Sequence, residues 1–196
     1  MKQQKGLTLI EMMIAMVIGV ILSGAIIAIF ISNIKSATDT VKMTRLNQEL
    51  RGVMTLISDE LKRSGYSADA TNSAFAAEFN FNAAQSCLRY SYDENGDGVQ
   101  DATESFGFQL LNNAIRWTNS VTSDACAGSG WQSITDTDIA SITAFTVDLP
   151  ATGAITAGTI NINQVEVTLT GQVDLRPNDA TRTITETVRV RNEDAS

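Results

Sequence analysis

The 196-residue chain contains no histidine. That absence removes Ser-His-Asp and Cys-His catalysis and every zinc site built on imidazole. It has only two cysteines, Cys87 and Cys126, too few for a four-thiolate metal centre. Basic charge is scarce where a nucleic-acid footprint would need it. Residues 67–196 carry 17 acidic and 6 basic side chains, a balance of −11, so no nucleic-acid partner is expected. Proline is missing between positions 35 and 64, where Gly52 is the one glycine. Charge is almost missing from residues 7–34, which hold a single ionisable side chain, Glu11.

That last stretch is longer than the roughly 20 apolar residues that span a hydrocarbon core. A cleavable secretory signal has a short apolar core and a small-residue cleavage site after it. Here the run is too long, and no Ala-x-Ala stop precedes the charged region that begins at Lys35. Lys2 and Lys5 place the N-terminal end in the cytoplasm by the positive-inside rule, with the remainder exported. In an exported domain the two cysteines are expected to form a disulfide, which would stabilise by about 4 kcal/mol on the chain-entropy model. A lone carboxylate in a spanning segment costs roughly 2.5–3.5 kcal/mol if it reaches the bilayer centre, so Glu11 calls for a purpose.

The helical pattern continues past the apolar run. Val41, Leu46, Leu50, Val53, Ile57 and Leu61 recur mostly at spacings of three or four, an amphipathic stripe. Arg45 with Glu49 and Asp59 with Arg63 are spaced i,i+4 for surface pairing. Gly65 is a plausible stop. One helix of about 55 residues is predicted, about 80 Å long at 1.5 Å per residue. Beyond Tyr66 the texture turns to Ser, Thr, Asn, Ala and Gly with short strand-like runs at 87–92, 106–111, 114–117, 141–149, 165–170 and 181–192. Asn112-Asn113 reads as a tight hairpin turn. In the last run Ile184, Val188 and Val190 alternate with Thr183, Thr185, Thr187 and Arg189, as in an antiparallel sheet with one covered face. The predicted fold class is α+β, a long N-terminal helix packed on a mostly antiparallel sheet.

The stretch Lys5-Gly6-Leu7-Thr8-Leu9-Ile10-Glu11 resembles the leader and cleavage site of type IV pilins and pseudopilins. The resemblance implies that a prepilin peptidase cuts after Gly6 and that Leu7 becomes the N-methylated terminus. Glu11 is then the fifth residue of the mature chain. It gains from the dipole at the start of its own helix and would pair with the free amine of a neighbouring subunit in a filament, setting axial register. Segments 47–66 and 181–194 are similar to the PilW-type minor pilins, and segment 47–66 also to the J-type pseudopilins of type II secretion. Many major pilins carry a proline in the apolar helix and this chain has none, which leaves Gly19 and Gly24 as the candidates for a local bend.

The domain organisation implied is a cleaved leader (1–6), a membrane or filament-core helix (7–34), its amphipathic continuation (35–66) and a periplasmic β-rich head (67–196). The function implied is that of a minor pilin, a structural and assembly subunit with no enzymatic role. Its partners would be the prepilin peptidase, other minor pilins, the major pilin and the inner membrane, and its destination the pilus. The J-type pseudopilin is the alternative, and an adhesive tip module a more distant one.

Residues 93–104, DENGDGVQDATE, fit a twelve-residue calcium-loop pattern. Asp93, Asn95, Asp97, the Val99 carbonyl, Asp101 and Glu104 occupy the ligand positions, and Gly98 the sharp turn. The flanks read as strands rather than helices, and Asn95-Gly96 and Asp97-Gly98 form turns in their own right. A hairpin whose acids are merely solvated is therefore the competing reading.

Overall fold

With no proline to break it, the helical pattern runs uninterrupted in the computed structural model, which describes residues 8–69, 71–72, 74–148, 163–175 and 177–190. Helix α1 (Leu9–Arg63) is 55 residues long. The chain divides into two compact units, Met1–Lys42 and Met43–Ser196. In the first, the described residues after Thr8 are helical and their large apolar side chains, from Leu9 to Val41, are exposed. This helix is long and apolar enough to cross a membrane, and no part of its most apolar window is buried in the protein.

In the second unit α1 has one buried face. Leu46, Leu50, Val53, Met54, Ile57 and Leu61 are buried there, each full burial stabilising by about 1.5–3 kcal/mol. Met54 joins the predicted stripe. Val41, predicted to belong to it, is instead half exposed in the first unit. The helix ends at Arg63, and Gly65 follows in the left-handed region with φ 81°.

The rest of the second unit is α2 (Ala74–Ala77) and eight strands: β1 (Asn80–Asn82), β2 (Cys87–Ser91), β3 (Ser105–Leu111), β4 (Ala114–Thr118), β5 (Gln132–Ser133), β6 (Ser141–Asp148), β7 (Asn163–Val173) and β8 (Ala180–Val190). The strands form two antiparallel sheets, β1 to β5 and β6 to β8, each in sequential order. The expected β3–β4 hairpin is present, with Asn112 and Asn113 at φ 52° and 63°. A backbone hydrogen bond from Ile142 to Asn113 links the sheets at 2.9 Å.

Alternation puts Leu88, Tyr90, Phe106, Phe108, Ile115 and Trp117 into the same core as the helix stripe, with Phe145, Val165, Val167 and Leu169 from the second sheet. The Tyr90 hydroxyl donates to Glu60 at 3.1 Å and accepts from the Trp117 indole at 3.2 Å. Burial, with the nearby Glu60 charge, pushes the Tyr90 phenol well above its usual value. Glu60 also accepts from Tyr92 at 3.3 Å, so a helix carboxylate satisfies the hydroxyls of Tyr90 in β2 and of Tyr92 just past its end.

The surface charges on this part of α1 pair at other spacings than expected. Arg63 turns to Glu60 at 3.1 Å and stacks on the Tyr92 ring, while Lys62 pairs with Asp59 at 2.9 Å. These i,i+3 pairs replace the Asp59–Arg63 pair expected from spacing. Glu49 accepts the backbone N–H of Asp136 at 2.9 Å rather than pairing with Arg45.

The first sheet is covered on its other face too, which the sequence reading did not anticipate. Residues 119–131 fold back across it. Val121 donates its N–H to Ser105 at 2.9 Å, and Asn82 and Arg89 hold Asp124 at 3.1 and 3.2 Å. Gly107 makes room for this crossing: a Cβ there would lie 2.6 Å from Val121 and 3.3 Å from the Trp131 ring.

Candidate functional site

Three groups of predicted site residues are spread along the chain. Gly6 and Leu7, the expected processing residues, lie outside the described residues. The helix starts immediately after Thr8, and Glu11 stands at its third position. The Thr8 backbone N–H and hydroxyl both donate to the Glu11 carboxylate, at 3.0 and 2.9 Å, and the Glu11 N–H reaches back to the Thr8 hydroxyl at 3.4 Å. This reciprocal arrangement is a capping box. It satisfies two N–H groups at the start of α1 that lack partners within the helix, and keeps a carboxylate at the positive end of the helix. Sequence reasoning singled out Glu11 and missed Thr8, although the Thr-x-x-Glu spacing was there to be read.

Cys87 and Cys126 form the expected disulfide, with Cα atoms 5.9 Å apart. It ties β2 to the segment that covers the first sheet's outer face. Next to it, Arg89 donates to the Ser105 hydroxyl at 3.1 Å and also pairs with Glu78.

The acidic loop closes on itself and on the chain that leaves α1. Asp93 is buried. Its carboxylate accepts the backbone N–H groups of Gly96 at 2.7 Å, Gly98 at 2.9 Å and Ala68 at 2.9 Å. Burial alone would push this carboxyl up. The N–H donors of Ala68, Gly98, Gly96 and Asp97 outweigh it and hold the group below the usual aspartate range. At the far end Glu104, also buried, accepts from Glu94 at 2.9 Å, Asn95 at 3.3 Å and Asp101 at 3.2 Å. Asn95, Asp97 and Asp101 each accept a backbone N–H two residues on, at 2.8, 2.7 and 2.7 Å. The Thr103 hydroxyl, then its N–H, lowers the Asp101 carboxyl.

Gly98 sits at φ +73°, and a Cβ there would lie 2.8 Å from the Asp69 side chain. Asn72 donates to the Gly98 carbonyl at 2.8 Å. The loop is therefore a docking point for Ala68, Asp69 and Asn72, partners that no spacing rule marked. Val99, whose carbonyl fits the seventh ligand position, has an exposed side chain. Among the described residues, no three acidic or thiol side chains are grouped so as to hold a metal ion. The carboxylates that the calcium pattern aims at one centre face backbone N–H groups here.

The comparisons with known proteins bear on the whole chain. Residues 1–27 match the prokaryotic N-terminal methylation motif. Among solved structures, a type IV-like pilin from Thermus thermophilus is similar in fold, with a TM-score of 0.50 and 14 % identity over 78 % of this chain and 99 % of that one. No curated protein matches. A long helix starting at a capped glutamate, antiparallel sheets against its second half, and an N-terminal methylation motif together describe a type IV pilin-like protein. Residues 39–190 match the model of prepilin peptidase-dependent protein B, and the chain belongs to that family.

Proposed function

We propose that the protein is a minor pilin, a non-enzymatic subunit that helps to initiate or cap a type IV pilus. The reading rests on the exposed apolar half of α1, with Glu11 as the one charge in residues 7–34. Such a surface needs lipid first and other apolar helices afterwards, and Glu11 needs a cationic partner in either setting. Cleavage after Gly6 would create that cation at Leu7, beside the cap that Thr8 and Glu11 already form. The partners proposed are the prepilin peptidase, other minor pilins and the major pilin, with the head in the periplasm until the subunit leaves the inner membrane.

Calcium on the acidic loop belongs to the same proposal. Its support is the spacing of hard oxygen donors and the second lone pair that a singly hydrogen-bonded carboxylate oxygen retains. Asp93, Asn95, Asp97, Asp101, Glu104 and the Val99 carbonyl would hold it.

The test is affinity purification of a tagged full-length chain from its native cell, with mass spectrometry of the partners and of the mature N-terminus. A methylated Leu7 terminus and co-purifying pilus subunits are expected. A terminus still at Met1 removes the reading, and co-purifying type II secretion pseudopilins replace it with the J-type alternative.

A further inference from the structure

Two arginines stand on the outer face of the first sheet, and their surroundings differ. Arg89 in β2 pairs with Glu78 and with Asp124, the latter at 3.2 Å. Arg116 in β4 has no carboxylate within 4 Å among the described residues. Its cross-strand neighbours are uncharged, Gln109 in β3 and Ser133 in β5. Ile115 and Trp117 on either side of it enter the core, so alternation turns Arg116 outward. Its side chain is half-buried, and the Nε atom is buried without a hydrogen-bond partner. A guanidinium is always charged, and burying part of one without an acceptor leaves its desolvation uncompensated.

The wall beside this cation is aromatic. The Arg116 guanidinium carbon lies over the Trp131 ring, 5.4 Å from its centre. Trp131 reaches that place because Gly107 has no side chain; a Cβ there would lie 3.3 Å from Cη2 of the indole. Thr118 fixes the approach by donating to the Ser129 carbonyl at 2.6 Å. Trp131 and Gln109 remain half-buried and Ser133 is exposed. Gln109, Arg116 and Ser133 thus form a polar row across three adjacent strands, about 4.8 Å apart, with the indole alongside. The whole ledge is built from residues 107–133, which are described without a gap.

One cation, one aromatic face and two neutral hydrogen-bonding side chains select a class of ligand. Arg116 excludes a metal cation. A bare phosphate would engage Arg116 and leave Trp131 idle. An acidic polypeptide brings a carboxylate but no ring face for the indole. A sugar acid uses every part. Its carboxylate meets Arg116 in a charge-assisted hydrogen bond, the C–H groups of its ring pack against the indole, and its hydroxyls meet Gln109 and Ser133.

We infer that Gln109, Arg116, Ser133 and Trp131 form a binding ledge for a hexuronate unit of an acidic polysaccharide. The inference goes beyond the minor-pilin reading and does not depend on it. Residues 67–196 carry a balance of −11, a field that repels polyanions. Binding therefore hangs on this local cation and on the contacts beside it.

The experiment is calorimetric titration of the full-length chain in detergent micelles with oligogalacturonate and with oligoglucuronate. Two controls accompany them: methyl-esterified oligogalacturonate keeps the rings and loses the charge, and poly-L-glutamate keeps the charge and loses the rings. Saturable binding of at least one sugar acid is expected, weaker at high salt and much tighter than either control. Arg116→Gln raises the Kd about tenfold through loss of a charge-assisted hydrogen bond. Trp131→Ala raises it by a similar factor, while Trp131→Phe keeps most of the affinity because an aromatic face remains. Arg182→Gln, on β8, leaves it unchanged, which separates a local site from the overall field. Equal melting temperatures of Arg116→Gln and the wild type show that folding is intact. Failure of both sugar acids to bind overturns the proposal. So does binding indifferent to Arg116→Gln, or equal binding of the methyl ester. Poly-L-glutamate binding as tightly, and depending on Arg116, overturns it in favour of an acidic polypeptide partner.

Discussion

Asp93 accepts the backbone N–H of Ala68 at 2.9 Å, across 25 residues of sequence. One carboxylate thereby fastens the chain leaving the long helix to the first residue of the acidic loop. Its depressed pKa has a definite sign. The folded value lies below the unfolded one, near 3.9. The contribution to stability is therefore complete above about pH 4 and is lost as pH falls through the depressed folded value. Asp93→Asn should lower the melting temperature at neutral pH by several degrees and flatten its decline between neutral and strongly acid pH. Thermal melts of the full-length chain in detergent at a series of pH values check this. An unchanged acid limb would mean that Asp93 is not the clasp.

Gly107 lies under the segment that covers the outer face of the first sheet. A methyl group there would meet the Val121 side chain at 2.6 Å and the Leu88 carbonyl oxygen at 3.1 Å. The second contact is backbone and cannot swing aside. Gly107→Ala should destabilise by about 1–3 kcal/mol through overpacking, seen as a lower denaturation midpoint with an unchanged slope.

Reduction of Cys87–Cys126 releases a loop closed over a sequence separation of 39. The chain-entropy model gives a loss of about 4 kcal/mol, a fall in melting temperature on the order of ten degrees for a unit of this size. The paired Cys87→Ser and Cys126→Ser variant should melt with the reduced wild type, and adding reductant to it should change nothing.

Glu11→Ala removes the carboxylate that caps α1 at Thr8. On the minor-pilin proposal the variant should still enter the membrane and be cut after Gly6, yet be depleted from filaments. Immunoblots of sheared filaments and membranes, read side by side, separate the two steps. Incorporation at the wild-type level would show that the carboxylate serves only its own helix.

If calcium occupies the loop, titration of the full-length chain should give a saturable heat, and EGTA should lower the melting temperature. Asp97→Ala should abolish both responses while leaving the calcium-free melting temperature nearly unchanged. Absence of both responses in the wild type would leave the loop a turn closed by its own backbone.

Much of the architecture is local and so was legible in the residues. A proline-free run with one apolar stripe makes a helix of this length wherever it packs, and Gly65 ends it because a residue without Cβ enters the left-handed region at little cost. Asn112-Asn113 turns its hairpin for a related reason, since Asn tolerates positive φ. Glu11 stood out because a charge in an apolar run has few explanations. Other features needed the chain to fold. Two sheets rather than one, and the fold-back of residues 119–131 over Gly107, depend on contacts between segments far apart in sequence, which no periodicity encodes. The charges show the same limit. Spacing paired Asp59 with Arg63 and Glu49 with Arg45, but in the fold Arg63 meets Glu60, which the Tyr90 and Tyr92 hydroxyls also reach, Asp59 meets Lys62, and Glu49 takes the N–H of Asp136. The acidic loop marks the boundary most clearly. Its sequence determined which residues carry oxygen, while the tertiary structure decided that Ala68, Gly96 and Gly98 donate to Asp93, because a buried carboxylate must find its hydrogen-bond donors in whatever backbone the fold brings within reach.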